Sequence, residues 1–339
     1  MKMRSMGKTG VKVSALCLGT MTFGGRSFFK HIGNLGQAEA TTLVDMSLYA
    51  GVNFFDTANV YSQGLSEELL GKALGPRRKD VILATKVRLK MGPGPNDIGL
   101  SRRHIIEQCH ASLKRLGTDY IDLYQVHSFD PDTPLEETMR ALDDLVRQGK
   151  VRYIGCSNFS GWQLMKALAI SDKRGWESFV TLQAHYSLLS RELENELVPL
   201  CLDQGLGILV WSPLSGGFLS GKYRRGKPQP KGTRLSGPQP PFLNVDEEKG
   251  FHIVDELDKI AKARNTTVAQ AALNYLLAKE GVSSVIIGAR TPEQLEDNLK
   301  TADWEMSAEE VARLDEISQP IAQYPYWMQK MRPPPDEEE

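Results

Sequence analysis

Cysteine is scarce in this 339-residue chain: four residues, Cys17, Cys109, Cys156 and Cys201, none spaced as a CxxC pair. That spacing argues against a disulfide framework and against the common zinc modules. It points to reduced, mostly buried thiols in a cytoplasmic protein. Cys109-His110 with His104 reads as a polar helix face carrying one buried thiol, so no metal site is expected. Charge of one sign is missing too: 41 Lys+Arg stand against 42 Asp+Glu, a net of -1. With no basic field, no nucleic-acid or anionic-membrane partner is expected. No apolar run reaches the length needed to span a bilayer. The opening MKMRSMGKTGVKVS lacks the apolar centre of a secretory leader. Finally, CLGTMTFGG has glycines at the wrong offsets for the GxGxxG turn of a doubly wound sheet.

What the chain does have is alternation. Short apolar runs at 16–20, 52–56, 81–86, 121–127, 151–156, 179–184, 208–211 and 284–287 read as strands. Between them, helical periodicity covers 37–50, 66–74, 101–116, 135–148, 161–169, 191–204, 267–279 and 291–299. Gly51, Gly75, Gly149 and Gly205 follow several helices at the stop position. Most strands are continuously apolar, as in parallel sheets covered on both faces. Eight strand–helix units predict an α/β (β/α)8 TIM barrel, with a doubly wound sheet as the alternative. The expected organisation is one barrel domain over 1–320 and a C-terminal tail over 321–339 with an acidic, Pro-rich, solvated end. Three additions lie outside the repeat: an N-terminal β-hairpin around Gly7–Gly10, placed to plug the barrel bottom, a long loop over 222–250, and a helix over 307–317.

In such a barrel the reactive face is built from the C-terminal strand ends. There the sequence puts Asp56, Lys86, His127, Ser157-Asn158, Gln183 and Trp211-Ser212. Each alone has an ordinary reading. Asp56 can cap a turn, Lys86 can reach solvent, His127 can be structural, and Tyr61 can be a surface ring. Together, on one face, they read as chemistry. A tyrosine hydroxyl titrates near 10, and an adjacent ammonium stabilises its anion. Asp56 would hold Lys86 charged, Lys86 would tune Tyr61, and His127 would hydrogen-bond a substrate oxygen. That set suits carbonyl reduction beside a hydride source.

The motifs FDTANVY…SEELLG, the lysine of ATK, the histidine of DLYQVH, GCSNF, LQAHYS and WSPLSGGFLSGKY resemble the aldo-keto reductase superfamily, in order, from about residue 16 to 299. The nearer likeness is to its bacterial-type and potassium-channel-β-like branches. The resemblance implies NADPH or NADP+ as cofactor, with NADH also compatible. It implies an Asp56, Tyr61, Lys86, His127 tetrad with Tyr61 as general acid/base. Thr20, Met21 and Asp56 would then contact the cofactor, Ser157, Asn158 and Gln183 its nicotinamide carboxamide, with Trp211 stacked on the ring. Ser212, Pro213, Leu214, Ser215 and Gly216 would cradle the pyrophosphate, with Lys222 and Arg234 meeting the phosphates. Gly288 would allow close approach, Gln294, Asp297 and Asn298 would hold the adenosine, and Arg290 the 2′-phosphate.

The substrate implied is a small aldehyde, ketone or secondary alcohol. Phe23, Phe28, Phe29, Phe129 and Trp327 are the candidate pocket rings and suggest an apolar or ring-shaped molecule; RSFFKHIGN can equally pack on the barrel rim. A rival of another class is the regulatory subunit of a potassium channel, which binds NADPH and turns over slowly. In that branch the histidine of DLYQVH is typically replaced, so His127 favours an enzyme.

Overall fold

Eight mostly apolar runs pair in parallel, each beside its neighbour in the chain, and the last pairs with the first to close a barrel. The computed structural model describes residues 1–228, 230, 232–233, 235, 246–321, 323–329 and 331. The barrel strands are β3 (Leu16–Gly19), β4 (Phe54–Asp56), β5 (Ile82–Val87), β6 (Ile121–Val126), β7 (Val151–Ser157), β8 (Phe179–His185), β9 (Gly207–Trp211) and β10 (Val282–Ile287). A (β/α)8 barrel is therefore the fold. Before it, β1 (Met3–Ser5) and β2 (Lys12–Ser14) form the antiparallel hairpin the sequence suggests.

Around the barrel run α1 (Gln37–Tyr49), α2 (Leu65–Leu74), α3 (Arg102–Leu116), α4 (Leu135–Arg147), α5 (Gly161–Arg174), α6 (Leu197–Gln204), α7 (Glu247–Arg264), α8 (Val268–Leu277) and α9 (Pro292–Leu299). After these come α10 (Ala308–Ile317) and the short α11 (Tyr326–Gln329). The glycines read as helix stops, Gly51, Gly75, Gly149 and Gly205, all adopt φ between 51 and 81°. That is the left-handed region where a side chain is disfavoured. The start of α10 carries a reciprocal cap between Ser307 and Glu310.

Two differences from the sequence reading have physical causes. The run 191–204 is not one helix: a short 3-10 turn, Glu192–Glu194, precedes α6. Arg191 accounts for the break. Its guanidinium bonds both carboxylate oxygens of Glu194, the Asp315 carbonyl and the Ser318 hydroxyl, tying this loop to the end of α10. The second difference is α7, eighteen residues that begin inside the segment read as loop. Gly250 in its first turn masks the helix in the sequence. It serves packing instead, since a Cβ there would lie 2.5 Å from the Phe218 ring.

The barrel interior follows from strand parity, because alternate residues point inward. Cys17, Phe54, Ala84, Leu123, Leu209 and Ile286 form one buried inner cluster. Met6 and Val13 of the hairpin join it, and the Lys8 N–H bonds the Gly205 carbonyl at 2.8 Å, so the hairpin closes the N-terminal end. Two residues further along the same strands come Gly19, Asp56, Lys86, Gln125, Trp211 and Gly288. Apolar packing gives way to polar groups one layer higher. That layer is the floor of the site.

Candidate active site

At the floor, the Lys86 side chain is completely buried and its ammonium is paired with the Asp56 carboxylate. It also donates to the Thr57 carbonyl at 2.9 Å and to the Tyr61 hydroxyl at 3.5 Å. Burial by itself would depress the lysine, but Asp56 and then Tyr61 outweigh it and leave the Lys86 pKa raised. The ammonium is therefore permanent at neutral pH, although a buried charge this well shielded would be costly without its partner. Tyr61 belongs to the loop after β4. Its ring stands edge-on to His127 with centroids 5.9 Å apart. The four tetrad residues expected from the sequence are thus brought together.

His127 follows β6, and its backbone N–H is held by the Val87 carbonyl at 2.8 Å. Burial first, then the charges of Lys86 and Arg88, push its pKa down to about 3. The imidazole is neutral, so it acts as a hydrogen-bond group and not as a cation. Its Nδ1 is buried with no hydrogen-bond partner.

Gln125, which sequence reasoning missed, completes the floor beside the expected Gln183. Gln125 and Gln183 both donate to the second oxygen of Asp56, at 3.2 and 2.8 Å. The carboxylate is thereby held at both oxygens, with Lys86 on one and two amides on the other. Gln125 lay within DLYQVH, and strand parity, two residues before His127, is the signal that could have found it. Arg88, two residues beyond Lys86, is a second residue that sequence reasoning missed.

The remaining expected residues fall into three groups. Of the residues expected around a nicotinamide, Thr20 is buried, its hydroxyl within 2.8 Å of the Ser66 hydroxyl; Met21 follows it, half-buried. Ser157 ends β7. Asn158, at φ 54°, spends its amide on the His127 carbonyl at 2.9 Å and accepts from the Trp211 indole at 3.2 Å. Gln183 faces Asp56, as above. Trp211 lies stacked on His185 at 4.6 Å.

Of the residues expected at the phosphates, the turn after β9 has positive φ at Ser212, Ser215, Gly216 and Gly217, with Pro213 and Leu214 between them. Such runs turn successive backbone N–H groups toward a common point, which suits an anion. A Cβ on Gly217 would stand 2.8 Å from the Lys222 ammonium, so that charge lies against the turn. Gly288 is exposed and a Cβ there would meet nothing within 4 Å, which leaves room for close approach. Gln294 accepts from the Arg290 N–H at 2.9 Å, and Arg290 reaches the Gly232 carbonyl at 3.3 Å. Asn298 bonds the Gly288 carbonyl at 3.4 Å, and Asp297 is held by Thr267 and Gln270 of the α8 start. Arg234 lies outside the described residues. The Ser215 and Gly217 N–H groups bond the Ser212 and Leu214 carbonyls and the Gly216 N–H bonds the Ser212 hydroxyl, so the two cations, Lys222 and Arg290, are the groups here that suit a phosphorylated ligand.

Among the rings, Phe29 packs on Tyr61 at 5.5 Å and Phe28 on Phe29 at 5.5 Å. Phe129 packs on Phe159 and Trp162. Phe23 instead is fully buried in the main core, and the ring contact of Trp327 is with Tyr324.

Residues 15–319 match the Aldo/keto reductase family. The chain belongs to the aldo/keto reductase family. Among its relatives is an uncharacterized oxidoreductase, YrpG, of Bacillus subtilis strain 168, 40% identical over 323 residues, covering 92% of this chain and 94% of the relative. A probable voltage-gated potassium channel subunit beta of Arabidopsis thaliana is 37% identical over 89% of this chain and 92% of its own. The versiconal hemiacetal acetate reductase of Aspergillus parasiticus is 33% identical over 96% of this chain and 99% of its own. In this aldo/keto reductase family member no helix among the described residues is long and apolar enough to cross a membrane.

Proposed function

We propose that the protein is an NADPH-dependent aldo-keto reductase that interconverts aldehydes or ketones and the corresponding alcohols, with Tyr61 as general acid/base. The observation that carries this reading is the completely buried Lys86 ammonium, held by Asp56 and aimed at the Tyr61 hydroxyl. A fixed positive charge beside a phenol stabilises the phenolate left after proton donation. Bound NADPH would supply the hydride; Arg290 and Lys222, beside the Ser212–Gly216 turn, are the groups that would hold its phosphates. Tyr61 gives its proton to the carbonyl oxygen as negative charge develops there. The neutral His127 ring orients that oxygen, and its low pKa keeps it from competing as the acid. In the alcohol-to-carbonyl direction the same phenolate takes the proton back. Cytoplasmic location and a small-molecule partner belong to this reading as well.

Replacing Tyr61 by Phe removes the transferable proton and preserves the ring. Reduction of an aldehyde panel, followed at about 340 nm where reduced nicotinamide absorbs, should fall by roughly 10²–10⁴-fold. Quenching of tryptophan fluorescence by NADPH should persist in the variant. Turnover that survives the substitution overturns the assignment of Tyr61, and wild-type protein that binds neither NADPH nor NADH overturns the reductase reading. The name of the Arabidopsis relative raises the regulatory-subunit reading. That reading predicts cofactor binding with only slow aldehyde turnover in the wild type.

A further inference from the structure

The polar floor continues upward on two neighbouring strands. The ladder between β5 and β6 pairs Lys86 with Gln125 and Val87 with Val126. The next residues in register are Arg88 and His127, each two positions beyond an inward-facing partner in the floor. Both are anchored at the backbone: the Val87 carbonyl accepts from the His127 N–H, and the Arg88 carbonyl accepts from the Gly99 N–H, each at 2.8 Å. Arg88 is the neighbour whose charge helps to keep the His127 ring neutral.

Three features of Arg88 are unusual. Its φ is 137°, a conformation that favours glycine and disfavours any residue with a Cβ. Its side chain is half-buried, and Nε is shut from solvent with no hydrogen-bond partner. Among the described residues it forms no ion pair, in contrast to Lys86 beside it. Asp130, a carboxylate that feels its charge, already accepts from the Leu100 N–H at 2.7 Å, the Thr133 hydroxyl at 2.7 Å and the Asp132 N–H at 3.2 Å. A strained, half-buried and unpaired guanidinium is costly to keep, and packing does not explain it. A guanidinium is also the side chain best matched to a planar carboxylate.

We propose that Arg88 is an anion-recognition residue of the substrate pocket, selecting aldehydes or ketones that carry a carboxylate on an apolar or aromatic body. The proposal rests on the reductase reading for its substrate. The Phe29 ring on one side of Tyr61 would contact the body, and Arg88, beyond His127, the acid group. A carbonyl held at Tyr61 and His127 then presents its far end to the guanidinium.

The test compares 4-formylbenzoate with its methyl ester, which share ring and aldehyde and differ in charge. In wild type, kcat/KM for the acid should exceed that for the ester by about 10-fold or more, chiefly through KM, and the excess should shrink with added salt. Arg88→Gln should reduce the acid-to-ester ratio about 10- to 100-fold, and Arg88→Lys should restore part of it. A ratio unchanged by Arg88→Gln, or no preference for the acid in wild type, overturns the proposal. A second arm does not depend on turnover: calorimetric binding of 4-(hydroxymethyl)benzoate and its methyl ester, with and without NADP+. Tighter binding of the acid in wild type, lost in Arg88→Gln, supports the proposal, and equal binding overturns it. If neither aldehyde is reduced, this binding comparison still decides the role of Arg88, while the reductase reading stands or falls on NADPH binding and the aldehyde panel. Melting temperatures of the variants separate loss of recognition from loss of fold.

Discussion

His127 shows how a single residue in this site takes its properties from its neighbours. Burial and two cations, Lys86 and Arg88, bring its pKa to about 3, against an ordinary value of 6.5. The unfolded chain therefore takes up this proton first as the pH falls. The stability that the neutral ring contributes is complete above about pH 6.5 and is lost progressively as the pH drops toward 3. Urea unfolding at pH 7.5 and 4.5 should show the decline, and His127→Gln should show a shallower one. An equal decline in the variant would mean that other groups govern the acid limb. The residues themselves were largely legible: a carboxylate, an ammonium and an imidazole ending apolar strands stand out in a sequence. Gln125 and Arg88 did not stand out. A glutamine within an apolar strand and an arginine after one both read as ordinary until the register sets them beside Asp56 and His127.

At the scale of elements, the loop that carries Tyr61 is held by the residue after it. Ser62 and Gln63 have φ of 50 and 56°, and Gly64 continues the left-handed run at 89°. Ser62 is fully buried, and its hydroxyl accepts from the Gly25 N–H at 2.8 Å and donates to the Phe23 carbonyl at 3.0 Å. One side chain thus clamps the loop after β3 to the loop after β4. Ser62→Ala strands both backbone groups and should cost about 1–3 kcal/mol of stability. It should also lower kcat, because Tyr61 loses its fixed neighbour; chemical denaturation and steady-state rates check the two effects. Restored or unchanged kcat would show that Tyr61 is positioned by other contacts. The strands and most helices were readable because period and glycine stops are local signals. The left-handed turn was not, since Tyr-Ser-Gln carries no turn signature of its own and is stabilised across the barrel rim by residues nearly forty positions away. The α7 helix was hidden for the opposite reason: Gly250 looks like a breaker locally and is a contact point for Phe218 in space.

At the scale of the whole molecule, the chain past α10 makes a clear prediction. Ile321, Tyr324 and Met331 are 90, 77 and 66% exposed, so the described residues of this stretch bury little apolar surface. A chain ending at Pro320 should fold with its melting temperature lowered by no more than a few degrees. A larger drop would make the tail part of the domain. A raised KM for aromatic aldehydes in the shortened chain would instead show that Trp327 reaches the substrate. The sequence by itself determined the barrel, its order of strands and most of its helices, and the residue types at the strand ends. Those follow from hydrophobic period and from the cost of burying polar groups, both properties of short stretches. Only the tertiary structure decided which of the polar groups serve one another. Gln183, expected at the cofactor, turns its amide to Asp56, Asn158 joins His127 to Trp211, and Arg88 is left unpaired beside the reactive face. Such pairings depend on strand register and barrel closure, which bring together residues as far apart as Asp56 and Gln183, and no local pattern encodes them.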